Sequence, residues 1–101
     1  MGEFVRVADT TEVKPGCGIV AEVQGKVFAI FNIDGTFHAI DNTCIHRGGP
    51  LGEGDVEGSI VTCPWHGWQY DVITGTCVAN PAAKVERYQV AVEGTDVKVL
   101  L

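Results

Sequence analysis

Two cysteine–histidine pairs, Cys44-Ile45-His46 and Cys63-Pro64-Trp65-His66, interrupt a chain that elsewhere alternates apolar and polar residues with the period of a β-strand. Sixteen residues, 47 to 62, separate the pairs. Two thiolates and two imidazoles are a donor set for zinc or iron. For all four to hold one group, the fold must bring two distant loops to the same end of a β-scaffold. In the common Cys₂His₂ zinc finger the cysteines form one pair and the histidines another. Here each segment supplies one of each.

The strands expected around the pairs are short and joined by turn signals. Phe4, Val5 and Val7 lie in a β-favouring run, and Gly18 to Val23 is a second. Gln24-Gly25-Lys26 reads as a turn into the apolar run Val27 to Ile33, and Asp34-Gly35 is a two-residue hairpin signal leading to Thr36 to Ile40. Ser59 to Thr62 reads as a strand before the second pair. Tyr88, Val90 and Val92 alternate with polar or small residues, and Gly94-Thr95 turns the chain into Val97, Val99 and Leu101. Ala82 to Arg87 has room for one helical turn at most. Between these runs, Asp41 to Gly58 carries five glycines and Pro50 with little regular pattern. A loop that long in a small domain is functional or disordered, and its Cys and His favour function.

Composition narrows the class further. With 13 acidic residues against 7 basic, the formal charge is −6, which argues against a nucleic-acid partner. It suits a partner presenting a basic patch, or serves solubility alone. The start of the chain has no basic n-region or apolar h-region, and no apolar run approaches a membrane span. The expectation is therefore a cytoplasmic protein without membrane attachment. In a reducing compartment, four cysteines point to metal binding or catalysis rather than a disulfide framework.

The two segments Cys44-Ile45-His46-Arg47-Gly48 and Cys63-Pro64-Trp65-His66-Gly67-Trp68-Gln69-Tyr70-Asp71 closely resemble the Rieske family. The β-pattern on both sides extends the resemblance over essentially the whole chain. It implies an all-β fold, a Rieske-like antiparallel β-sandwich or barrel with a small inserted cluster-binding subdomain of two loops. Residues 1–101 would form a single Rieske domain, with a base scaffold of about 1–41 and 74–101 and a cluster-binding subdomain of about 42–73. The cofactor implied is one [2Fe–2S] cluster. Cys44 and Cys63 would ligate its inner iron, and His46 and His66 its outer iron, with the imidazole edges facing the surface. Arg47, Gly48, Gly67, Trp68 and Tyr70 would support the cluster, and Pro81 would lie in a third, covering loop.

High-potential members of that family carry one further cysteine in each cluster loop and a serine two residues after the second histidine. This chain has Trp65 in the second loop and Trp68 at the serine position. Loss of that hydroxyl donor implies the low end of the Rieske range, about −150 mV rather than +300 mV. The Gly-Trp-Gln-Tyr-Asp run looks more like ring-hydroxylating oxygenase systems than respiratory complexes.

The function implied is a monomeric one-electron carrier between a flavin-containing reductase and a terminal oxygenase, docking transiently at the His46/His66 tip. A small subunit of an NADH-dependent nitrite reductase and a zinc-bound structural module are the alternatives. An enzyme acting alone is not expected: a mononuclear iron site needs two histidines and a carboxylate, and only His38 is uncommitted. His38 itself is expected to be a structural or surface residue. Cys17 and Cys77 are expected to be buried free thiols.

Overall fold

The structure is a computed structural model that describes residues 2–43, 49–65, 67–80 and 82–101. The described residues form ten strands: β1 (Phe4–Asp9), β2 (Cys17–Val23), β3 (Lys26–Ile33), β4 (Thr36–Asp41), β5 (Asp55–Glu57), β6 (Ile60–Thr62), β7 (Gln69–Asp71), β8 (Arg87–Tyr88), β9 (Val90–Glu93) and β10 (Asp96–Leu100). Two 3₁₀ turns, Thr10–Glu12 and Leu51–Glu53, are the only helical elements among the described residues. None is long and apolar enough to cross a membrane.

The strands form three antiparallel sheets, ordered β1-β10-β9, β2-β3-β4-β8 and β5-β6-β7. The four-stranded sheet lies in the middle. On one face, Phe28 and Ile30 of β3 and Ala39 of β4 pack with Ala8, Val97 and Val99 from the first sheet. On the other, Ala29 and Phe31 of β3 and Ile40 of β4 pack with Leu51, Val61, Tyr70 and Val72 from the small sheet and its surroundings. Strand β3 is therefore buried on both sides, which is why it reads as a continuous apolar run rather than an alternating one.

Its two hairpins follow from turn chemistry. Asp34 and Gly35 have φ of 52° and 90°, and Gln24 and Gly25 have 54° and 80°, the left-handed pair that a two-residue turn needs to match strand twist. The Asn32 side chain braces the first of these, donating to the Val13 carbonyl at 2.8 Å and accepting from Gly35 N–H at 2.7 Å. Lys26 belongs to β3 rather than to the turn before it, because it pairs with Val23.

The small sheet departs most from expectation. The stretch 41–58 contains a 3₁₀ turn and the strand β5, and β7 follows the second pair where no strand was expected. Each of β5, β6 and β7 has three residues, too few to show a period in sequence. The segment 82–87 forms no helix among its described residues; its end begins β8, which pairs with Ala39 and Ile40.

Candidate metal centre

Of the four expected ligands, the structure describes Cys63. Cys44, His46 and His66 lie outside the described residues, as do Arg47, Gly48 and Pro81. Among the described residues no group of three or more His, Cys, Asp or Glu comes together as a metal site.

Cys63 follows β6 directly, and Gly67 and Trp68 lead into β7. The Cys63 N–H donates to the Trp68 carbonyl at 2.7 Å, and the Cys63 carbonyl accepts from Gly67 N–H at 3.1 Å. Gly67 stands at φ 75°, a left-handed conformation that a side chain would strain. Cys63 is thus held by backbone bonds to the residues that lead into β7. Tyr70, next on β7, is wholly buried opposite Val61, and Trp68 packs at the edge of the same core.

Cys63 itself is 1% exposed, at the margin of the apolar core beneath the site. The residue that covers it is Gly49, which comes from the first motif. A Cβ built on Gly49 would lie 2.6 Å from Cys63 Sγ and 3.2 Å from Trp65 Cβ. Only a glycine fits between these groups, so the backbone of one motif rests on the sulfur of the other. Trp65 remains 57% exposed, with its ring root against Gly49 and the rest of the indole turned to solvent.

The stem of the first motif is drawn together by a Thr43–Pro50 bridge. Asp41 Oδ1 accepts from Thr43 N–H at 3.0 Å on the entering side. Asn42, only 8% exposed, bonds across the stem to Leu51 and Gly52. Gly49 and Asn42 were not singled out as site residues from sequence. The Gly48-Gly49 doublet carried a signal for the first; a buried Asn at a loop entrance carries none, since burial is not visible in a single sequence.

The remaining candidates separate from the site. His38 is half-buried on β4, paired with Phe31. Burial, followed by the positive charge of Arg87, holds its imidazole below the usual histidine range, with Asp71 opposing. Cys77 is buried beside Tyr70, as expected, and is a free thiol. Cys17 corrects its expectation: it is exposed, because it opens β2 at the edge of its sheet.

The donor chemistry fits an iron–sulfur group. Cys63 offers a thiol shielded from water, and the glycine over it leaves room for sulfur where a side chain would fill the space. The family model for the Rieske [2Fe-2S] domain matches residues 3–97. The chain belongs to the Rieske family, and its cofactor is a [2Fe–2S] cluster of the Rieske type.

Its relatives narrow the setting. The ferredoxin component of the naphthalene 1,2-dioxygenase system of Pseudomonas aeruginosa is 32% identical over 87% of this chain and 86% of its own length. The ferredoxin of carbazole 1,9a-dioxygenase from Nocardioides aromaticivorans IC177 superposes with a TM-score of 0.86 at 33% identity, over 95% of each chain. A ferredoxin solved in complex with the oxygenase of carbazole 1,9a-dioxygenase gives 0.86 at 26% identity, over 95% of this chain and 91% of that one. A putative NADH-dependent nitrite reductase small subunit from Mycobacterium tuberculosis shares the fold, with a TM-score of 0.90 at 22% identity over 100% of this chain and 96% of that one.

Proposed function

We propose that the chain is the ferredoxin component of a ring-hydroxylating oxygenase system. It takes single electrons from a flavin-containing reductase and delivers them to a terminal oxygenase, and it turns over no substrate itself. The ligands are Cys44, Cys63, His46 and His66, with Arg47, Gly48, Gly67, Trp68, Tyr70 and Pro81 in support. Residues 42–73 form the cluster-binding part, on a base of 1–41 and 74–101. The protein works as a cytoplasmic monomer.

The observation that carries the cluster site in this reading is Gly49 seated on the sulfur of Cys63. It joins the two motif segments at one sulfur donor. When bound, the cluster supplies reversible one-electron exchange. The chain's own residues do the rest: the core under Cys63 keeps water from the sulfur, and its backbone bonds to Gly67 and Trp68 hold the donor still. Partners would dock transiently at the His46/His66 tip, with the acidic surface favouring a basic one.

The oxygenase reading rests on relatives named as dioxygenase ferredoxins at 32% and 33% identity. The nitrite reductase likeness, at 22%, carries the fold alone. The test is iron analysis and EPR of the dithionite-reduced protein, followed by turnover with a flavin reductase and a terminal oxygenase. Two irons per chain, a low average g value and chain-dependent oxygenase turnover are expected. A colourless zinc protein would overturn the cluster site, and an iron protein unable to support any such oxygenase would overturn the partner.

A further inference from the structure

Asn42 stands two residues before Cys44, the start of the first motif, and is buried, although asparagine is usually exposed. Its backbone N–H donates to the Val27 carbonyl at 3.3 Å, which ties it to the start of β3. Its carbonyl accepts from Leu51 N–H at 2.7 Å. Its side-chain Oδ1 accepts from the buried Gly52 N–H at 2.8 Å. One residue on the entering side thus holds two successive residues on the leaving side.

What it holds is itself seated without slack. Leu51 is fully buried in the core that includes Cys63. Gly52 lies against β2, where a Cβ would come within 2.6 Å of the Ile19 carbonyl oxygen. Gly49, three residues before Gly52, is the residue that covers Cys63 Sγ. The chain from 49 to 52 therefore has one fixed end on the scaffold and the other over the sulfur. The side chain that fixes the scaffold end is Asn42.

We infer that Asn42 is a positioning residue for the cluster: through its bond to Gly52 N–H it holds the 49–52 segment so that Gly49 closes over Cys63 Sγ. The inference rests on Cys63 being a cluster ligand. Without the Oδ1 acceptor, a buried N–H loses its partner and the segment gains a lower-cost open state. Opening admits water and chelator to the sulfur, and a shifted backbone changes the dipoles around it.

The test uses the holoprotein. Cluster bleaching by a chelator, the reduction potential and the EPR g values of the reduced protein are followed in wild type, Asn42→Ala and Asn42→Asp. Val97→Ala serves as a control, because Val97 lies in the core on the far face of the central sheet. Asn42→Ala is expected to bleach on the order of tenfold faster than wild type, the factor for one unsatisfied buried donor. Its potential and g values should shift. Asn42→Asp, which keeps an acceptor, should bleach within about threefold of wild type. Val97→Ala should melt earlier with unchanged g values and potential.

Wild-type bleaching, potential and g values in Asn42→Ala would overturn the role. So would a Val97→Ala protein that changes them equally, since general instability would then suffice. If Asn42→Ala does not fold, Asn42→Ser, with a shorter acceptor, is read by the same criteria. A wild-type chain without iron would overturn the cluster reading itself, and is seen before any variant is made.

Discussion

The two cores on either side of β3 are built on different principles. On the scaffold side, six-residue β1 and five-residue β10 pair along most of their length, and β2, β3 and β4 form a regular double hairpin. On the site side, three-residue strands make the sheet, and single contacts at Gly49, Gly52 and Asn42 complete it. Ladders are redundant, so one lost bond leaves many neighbours. A site braced by single contacts has no such reserve, and a change of one atom there reaches Cys63.

The sharpest way to break the comparison is Cys63→Ser. Complete loss of the cluster is expected while the scaffold sheets stay folded, checked by iron content and far-UV circular dichroism. A variant that retains two irons and its g values would remove Cys63 from the ligand set.

Phe28→Ala reverses the pattern. Phe28 is fully buried on the scaffold side and meets the Tyr88 ring edge-on at a centroid distance of 4.8 Å. The cost is expected to be about 3–5 kcal/mol of stability. Denaturant unfolding measures it, and the holoprotein that remains folded should keep wild-type g values. Altered g values would mean that the two cores are not separable.

Gly49→Ala places a methyl against Cys63 Sγ and Trp65. A loss of about 1–3 kcal/mol is expected, as for overpacking in a close-packed site. Unlike Phe28→Ala it should also perturb the EPR spectrum, and an unchanged spectrum would show that the cover over the sulfur is dispensable.

The smallest effect concerns His38, on β4. Its imidazole pKa lies below the usual 6.5 because burial disfavours the charged form. The unfolded chain therefore takes up the proton first as pH falls. The stability contributed by neutral His38 is complete above about pH 6.5 and is lost as pH falls from there through the lowered folded value. In His38→Gln the drop in Tm between pH 7.5 and 5 should be smaller than in wild type. Parallel Tm curves would show that the side chain is effectively solvated.

The scaffold was legible for the same reason that it is robust. Alternation in β10, the unbroken run of β3 and the Asp34-Gly35 turn each repeat a local rule several times, so the signal accumulates along the chain. In the site, Gly67 was legible because a positive φ selects few residue types. The strands β5 and β7 were not: three residues show no period, and neither has a β-branched run like Ile60-Val61-Thr62, which marked β6. Cys17 was misread as buried because its exposure depends on where β2 falls in the sheet order.

Residue types and their spacing determined that the chain is β-rich, where its hairpins turn and which donors it offers a metal. These follow from backbone sterics and donor softness, which act within a few residues. Only the tertiary structure decided that Gly49 lies on Cys63, that Gly52 lies on Ile19 and that Asn42 reaches Gly52 across a closed stem. Those contacts join residues 10 or more apart in sequence: the two glycines sit where a side chain would collide, and Asn42 Oδ1 bonds Gly52 because a buried N–H needs a partner.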